Sequence, residues 1–193
     1  MNSKNINVSE VQYFIHRKLP SLIQKDLQNL NMVKEADLEC CTYFHLRNYL
    51  KPDSLWKIFA RKYTPTEHFI DLLLFKRGRP RISLELKWNK GYIGNKDIES
   101  LKKSLIMLRV NRAYFVSTVI RGVGSEKEKV GTKTIERYNI KGIFIPLGIQ
   151  NNDHKKWLKN RSNFMSKMTH GKAKHKNNNL TNEMLESKGT TRS

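Results

Sequence analysis

The sequence predicts an α/β fold in which a buried β-sheet is flanked by helices. Two patterns carry that expectation. Apolar residues recur at helical spacing before residue 50 and again over 97–108, and short apolar runs of strand length occupy 68–75, 81–88, 113–120 and 141–149. A third observation sets the limits: after residue 150 the chain turns to Asn, Lys, Ser, Thr and His, which reads as a basic, mostly disordered tail over 151–193. With 193 residues and 38% hydrophobic content, the chain can bury one core and has little room for a second domain.

Residues 9–31 place Val11, Phe14, Ile15, Leu19, Leu22, Ile23, Leu27 and Leu30 near helical spacing, and Pro20 is expected to split them into two short helices. These form an N-terminal helical extension, 1–32, before a core of 33–150. The next helix runs from Val33 to Leu50, with Leu38, Cys41, Thr42, His45, Leu46 and Tyr49 on one face. Its acidic first turn, Glu35, Asp37 and Glu39, suits the helix dipole. Strand periodicity begins near Leu55–Tyr63. The runs HFIDLLLF and RISLELKW are too apolar for a one-sided surface strand and read as a hairpin about the basic turn Lys76–Arg81. Ile98, Leu101, Leu105 and Leu108 then space as a helix that covers a sheet, with Asn95 or Asp97 as its cap. Ala113–Ile120 and Lys141–Ile149 supply two further strands.

Lys and Arg number 37 against 17 Asp and Glu, a formal charge of +20. Only +7 of it lies in 151–193, so the body itself is basic. A polyanion is the natural partner, and nucleic acid leads. An anionic membrane surface would also absorb the charge, but no stretch approaches the length of a membrane span. The N-terminus lacks the apolar run of a secretory signal, so a reducing, cytoplasmic setting is expected, nucleoid-associated in a prokaryote. Cys40 and Cys41 offer neither a disulfide framework nor a zinc set and read as small buried fillers.

Chemistry is suggested by a carboxylate in each strand of the hairpin. Asp71 lies in the first buried run; Glu85 and Lys87, two residues apart in the next, project from the same face. Buried carboxylates need a partner, and two that converge repel unless a cation joins them. Hard oxygen ligands favour Mg²⁺ or Mn²⁺. Asp71 and Glu85, with the backbone carbonyl of Leu86, would hold the ion, while Lys87 positions or deprotonates water and offsets charge on a phosphorane. A surface salt bridge and a turn cap are the plainer reading of the same residues.

The segment FIDLLLF, with thirteen residues between Asp71 and the Glu85 of ELKW, resembles the PD-(D/E)XK nuclease superfamily, over about Val33 to Ile149. Ile70 stands where that pattern has proline. The resemblance implies a restriction-endonuclease-like central mixed sheet flanked by helices, Mg²⁺ on the motif carboxylates, and a further acid from the first helix, which Glu35 or Glu39 would match. Small single-domain members, including archaeal Holliday junction resolvases, are similar in size. The expected function is a Mg²⁺-dependent DNA endonuclease, acting as a homodimer because cutting two strands normally takes two sites. A noncatalytic DNA-binding protein and an RNA-binding protein are the alternatives.

Arg77-Gly78-Arg79-Pro80 matches the core of a minor-groove AT-hook, but the same residues make a basic hairpin turn, the preferred reading. A turn leaving the hairpin would put Lys76, Arg77, Arg79 and Arg81 near a phosphate backbone, with Lys90, Lys96, Lys102 and Lys103 extending the surface. The lysines from Lys155 to Lys176 serve as a nonspecific clamp or simply as solubilising charge. Glu67 reads as a strand-entry residue, His45 and His68 as structural, and Trp88 as a core residue on the face opposite Lys87.

Overall fold

The computed structural model describes residues 5–51, 53–63, 69–120, 138–148 and 155–167. The N-terminal pattern forms α1 (Val8–Tyr13) and α2 (Leu19–Gln28). Asn7 starts α1 reciprocally: its side chain accepts the Glu10 N–H at 2.9 Å and the Glu10 carboxylate accepts the Asn7 N–H at 2.7 Å. Pro20 does not split the path as its position suggested. Phe14–Lys18 instead make a π-turn, with the Leu19 N–H on the Phe14 carbonyl, and Pro20 falls in the first turn of α2. The wider turn accommodates a ring that lacks an N–H and would clash with the carbonyl four residues earlier.

Helix α3 (Glu35–Leu50) buries Leu38, Thr42, Leu46 and Leu50. Its start is closed by Asp37, whose carboxylate accepts the N–H groups of Val33 and Lys34 at 2.9 and 3.2 Å. His45 Nε2 lies 2.6 Å from Asp26 Oδ2, so this histidine ties α3 to α2. Cys40 is exposed, which corrects the expectation that both cysteines are buried; it sits off the Leu38–Thr42 face. Cys41 is half-buried, and burial with the fields of Asp26 and Asp37 pushes its thiol up to about 11.

Five strands follow: β1 (Trp56–Tyr63), β2 (Phe69–Lys76), β3 (Arg79–Lys87), β4 (Arg112–Val119) and β5 (Ile140–Pro146). They lie in sequence order in one mixed sheet, antiparallel across β1–β2–β3 and parallel across β3–β4–β5. Arg77 and Gly78 form the two-residue loop between β2 and β3, with φ values of 51° and 72°. Two positive φ angles match the twist of a hairpin, and glycine takes one of them without strain. The AT-hook-like residues are therefore a tight turn.

Helix α4 (Asn95–Met107) makes the crossover from β3 to β4. Gly94 is its N-cap, not Asn95 or Asp97; Asp97 stands third in the helix and its carboxylate accepts the Gly94 N–H at 2.9 Å. Ile98 and Leu101 pack on Ala113, Phe115 and Ile140, and Ser104 meets Ser83 through hydroxyls 2.8 Å apart. Residues of both parities are buried in β2, β3 and β4, so both faces of the central strands are covered. α3 packs against β1, β2 and β3, and α2 against β5.

The N-terminal helices belong to the same compact unit as the sheet, Met1–Gly148. Gln24 and Gln28 donate to the carbonyls of Pro146 and Leu147, each at 2.9 Å. Ile6 is a strap: its N–H donates to Asp53 Oδ2 at 2.8 Å and its carbonyl accepts from Trp56 Nε1 at 2.7 Å and Lys76 Nζ at 2.6 Å. The remainder, 149–193, is a separate unit; residues 155–167 in it are helical, and the other residues of the expected disordered tail lie outside the described residues. Among the described residues no helix is long and apolar enough to cross a membrane.

Asp53, 3% exposed, accepts from both Ile6 and Leu55 N–H groups. Asp53→Ala leaves both donors without this partner and is expected to lower the unfolding free energy by about 2–4 kcal/mol in urea titrations. A loss below about 0.5 kcal/mol would mean the strap is held by other contacts.

Candidate active site

The β2–β3 ladder runs through Leu74↔Ile82, Leu73↔Ser83 and Leu72↔Leu84 and stops there. One more step would set Asp71 opposite Glu85. At that step the strands part, and the Leu86 N–H donates to Asp71 Oδ2 at 2.7 Å instead of to a strand carbonyl. N–H and C=O of one strand residue face the same side, which turns the Leu86 carbonyl toward β2 as well. Lys87 Nζ is 2.7 Å from Glu85 Oε1, as their shared face allows.

α3 begins at the same end of the sheet. Glu35 Oε2 accepts the Trp88 N–H at 3.2 Å, immediately beyond Lys87. Glu39, one turn later, accepts from Arg61 Nε at 2.8 Å and Nη2 at 3.1 Å. Thus Asp71, Glu85, Lys87 and Glu35 gather where β2 leaves β3, while Glu39 is joined to β1 through Arg61. The terminus of β3 is also fixed from β4. The Ser117 hydroxyl donates to the Lys87 carbonyl at 2.9 Å, and Thr118 Oγ1 accepts the Asn89 N–H at 3.1 Å.

Burial and mutual repulsion govern the electrostatics. Asp71 is pushed up to about 7, first by burial and then by the Glu85 charge, against the lowering effects of the Leu86 N–H and Lys87. Glu85 is also raised, chiefly by burial, despite its bond to Lys87. Burial pulls Lys87 down, but its bond to Glu85 and the fields of Glu85, Asp71 and Glu35 outweigh that and leave it above its ordinary value. Lys87 is therefore an ammonium at neutral pH. The cluster can bind a cation between its acids and can present a fixed positive charge to an anion.

The expected basic residues are spread over the hairpin turn, the end of β3 and α4. The Arg77–Gly78 turn lies at the far end of the hairpin, six residues from Glu85 to Arg79, or roughly 20 Å along the strand. It is not beside the acids, because both strands run away from the site to reach it. Arg77 and Arg79 are exposed there. Lys76 is engaged by Asn5 and Ile6, at 2.9 and 2.6 Å. Arg81 is half-buried, and its Nε has no hydrogen-bond partner among the described residues. Lys90 does stand near the cluster, with Nζ 2.5 Å from Asp97 Oδ2 and 5.1 Å from the centre of the Tyr92 ring. Lys96 is exposed on α4, Lys102 donates to Glu99 at 3.0 Å, Lys103 is exposed and Trp88 is half-buried. Glu67 and His68 lie outside the described residues.

Two participants were not singled out for the site by sequence. Asp97 was read only as a helix cap, yet its field reaches Glu85. Arg61 gave no signal, since its placement depends on a backbone φ of 47° within β1. Comparisons with protein-family models, curated proteins and solved structures found no match for this chain.

Because the Asp71 pKa is raised above its unfolded value, its contribution to stability is full below pH 3.8 and is lost as pH rises through about 7. In EDTA, wild-type stability relative to Asp71→Asn should fall over this window by something on the order of 3 kcal/mol. Parallel pH profiles for the two proteins would show that Asp71 is not a strained acid.

Proposed function

We propose that this chain is a divalent-metal-dependent DNA endonuclease of the restriction-endonuclease-like PD-(D/E)XK type. One observation carries the reading: the hairpin opens at Asp71 and Glu85, with Lys87 2.7 Å from Glu85 and the Leu86 N–H on Asp71. A salt bridge on a solvated strand would not require two carboxylates raised by burial at a parting of the sheet. The mixed five-stranded sheet with helices α3 and α4 packed on it supports that reading.

The donor chemistry fits Mg²⁺ or Mn²⁺. Asp71, Glu85 and the Leu86 carbonyl would hold the ion, and Mg²⁺ commonly takes only one or two carboxylates and keeps several waters. Among the described residues no three His, Cys, Asp or Glu side chains form a metal-binding group, so the fit is to a sparsely ligated ion rather than a closed cage. When bound, such an ion polarises the scissile phosphate and acidifies a water. The chain's own residues supply the rest. Lys87, held as an ammonium, compensates charge on the phosphorane rather than removing a proton. Glu35 orients the end of β3 through the Trp88 N–H. Each chain brings one such cluster, and cutting both strands of DNA normally takes two sites, which favours a homodimer.

Supercoiled plasmid, four-way junction and single-stranded RNA incubated with Mg²⁺ or EDTA test the reading. DNA should be cut only with metal, and Asp71→Ala or Lys87→Ala should slow cleavage about a hundredfold or more. Mg²⁺ should raise the Tm of the wild type and not that of Asp71→Ala/Glu85→Ala. Metal-independent binding with no cleavage would leave a basic nucleic-acid-binding protein instead.

A further inference from the structure

Beyond the acid cluster, α3 and β1 enclose a groove of about 530 Å³. Tyr43, Arg47 and Lys51 follow one another at every fourth residue at the C-terminal end of α3, about 6 Å apart along the axis, and line the groove together with Lys57 of β1. The steps are comparable to the spacing of phosphates along a nucleic-acid strand. Arg47 and Lys51 are exposed, and the Tyr43 hydroxyl accepts from Arg47 Nη1 at 3.2 Å. Asp53, the one acid in the lining, is buried and turned to the N–H groups of Ile6 and Leu55. The groove is thus cationic where solvent reaches it.

Each end has a marker. At the cluster end Arg61 interrupts the β1–β2 register between Ala60↔Leu72 and Lys62↔Ile70, which places it opposite Asp71. Its φ of 47° is unfavourable for a residue with a side chain and persists only where other contacts hold it. Glu39 provides that hold through Nε and Nη2. A guanidinium has five N–H donors, so its Nη1 edge is left facing away from Glu39. The side chain is 65% exposed. At the far end the Arg77 N–H donates to the Leu55 carbonyl at 3.0 Å, which seats the basic hairpin turn beside the start of β1.

We propose that the α3–β1 groove is the track for the backbone of a DNA single strand, from Arg61 beside the acid cluster, past Arg47 and Lys51, to the Arg77 turn. Glu39 is then the positioning residue for Arg61. The claim rests on the nuclease reading for what happens at its cluster end, while the binding itself needs no cleavage.

The test is fluorescence anisotropy of a labelled single-stranded DNA with the full chain in EDTA, after circular dichroism has shown each variant folded. Arg47→Ala/Lys51→Ala should weaken binding about tenfold and reduce the salt slope by about 1.4, the value for two phosphate contacts to a single strand. Lys18→Ala/Lys25→Ala removes the same charge from exposed sites on the N-terminal helices and should change affinity less than about twofold. Equal losses for the two doubles would overturn the track. Arg61→Ala should weaken binding about tenfold, and Arg61→Lys should not restore it, because an ammonium lacks the planar fork. Wild-type affinity in Arg61→Lys would overturn the role given to Arg61. If the groove variants lose binding but the wild type never cuts DNA, the nuclease reading fails and the track stands; cleavage with equal losses for both doubles gives the reverse.

Discussion

The Leu86 N–H has no strand carbonyl to meet, and the Asp71 carboxylate takes it. That bond depends on β2 leaving β3 immediately after Leu72↔Leu84. Had the ladder continued, backbone groups would have satisfied one another and the two acids would have projected from a closed sheet. Where the strands part, a carboxylate takes the backbone donor and lies in the field of Glu85. The cost appears as the raised pKa values of both acids.

β3 is the strand on which this arrangement turns. One of its edges pairs antiparallel with β2 and the other parallel with β4, so its last residues meet a side chain on one side and a continuous ladder on the other. The crossover through α4 brings Asp97 toward Glu85 and leaves Lys90 bound to Asp97. α3 contributes Glu35 and Glu39 from its first turns. Four elements therefore share one end of the sheet, and negative charge collects there in a chain that is otherwise strongly basic. The local field there is thus opposite in sign to that of the chain as a whole.

Much of the fold was legible because apolar periodicity is a local signal. The runs around Asp71 and Glu85 identified two buried strands, and the spacing of Ile98, Leu101 and Leu105 identified the helix that covers them. The juxtaposition of Asp71, Glu85 and Lys87 followed from a short hairpin and strand parity. Other features were not local. Nothing in the neighbourhood of Pro20 reveals that the backbone widens into a π-turn ahead of it. Arg61 was illegible for a different reason: its partner Glu39 lies 22 positions away, and its place opposite Asp71 is set by the register with β2.

The hydroxyl of Ser117 has a bearing on how the protein is made. It lies 30 positions after the carbonyl it holds, on a strand that reaches β3 only through α4. A nascent chain that has emitted the β2–β3 hairpin already contains Asp71, Glu85 and Lys87, but not the strand that fixes where β3 ends. Local pairing forms early, and parallel pairing across a crossover must wait for the crossover. The final spacing of the acidic pair therefore depends on a hydroxyl that the chain supplies 30 positions beyond the carbonyl it holds.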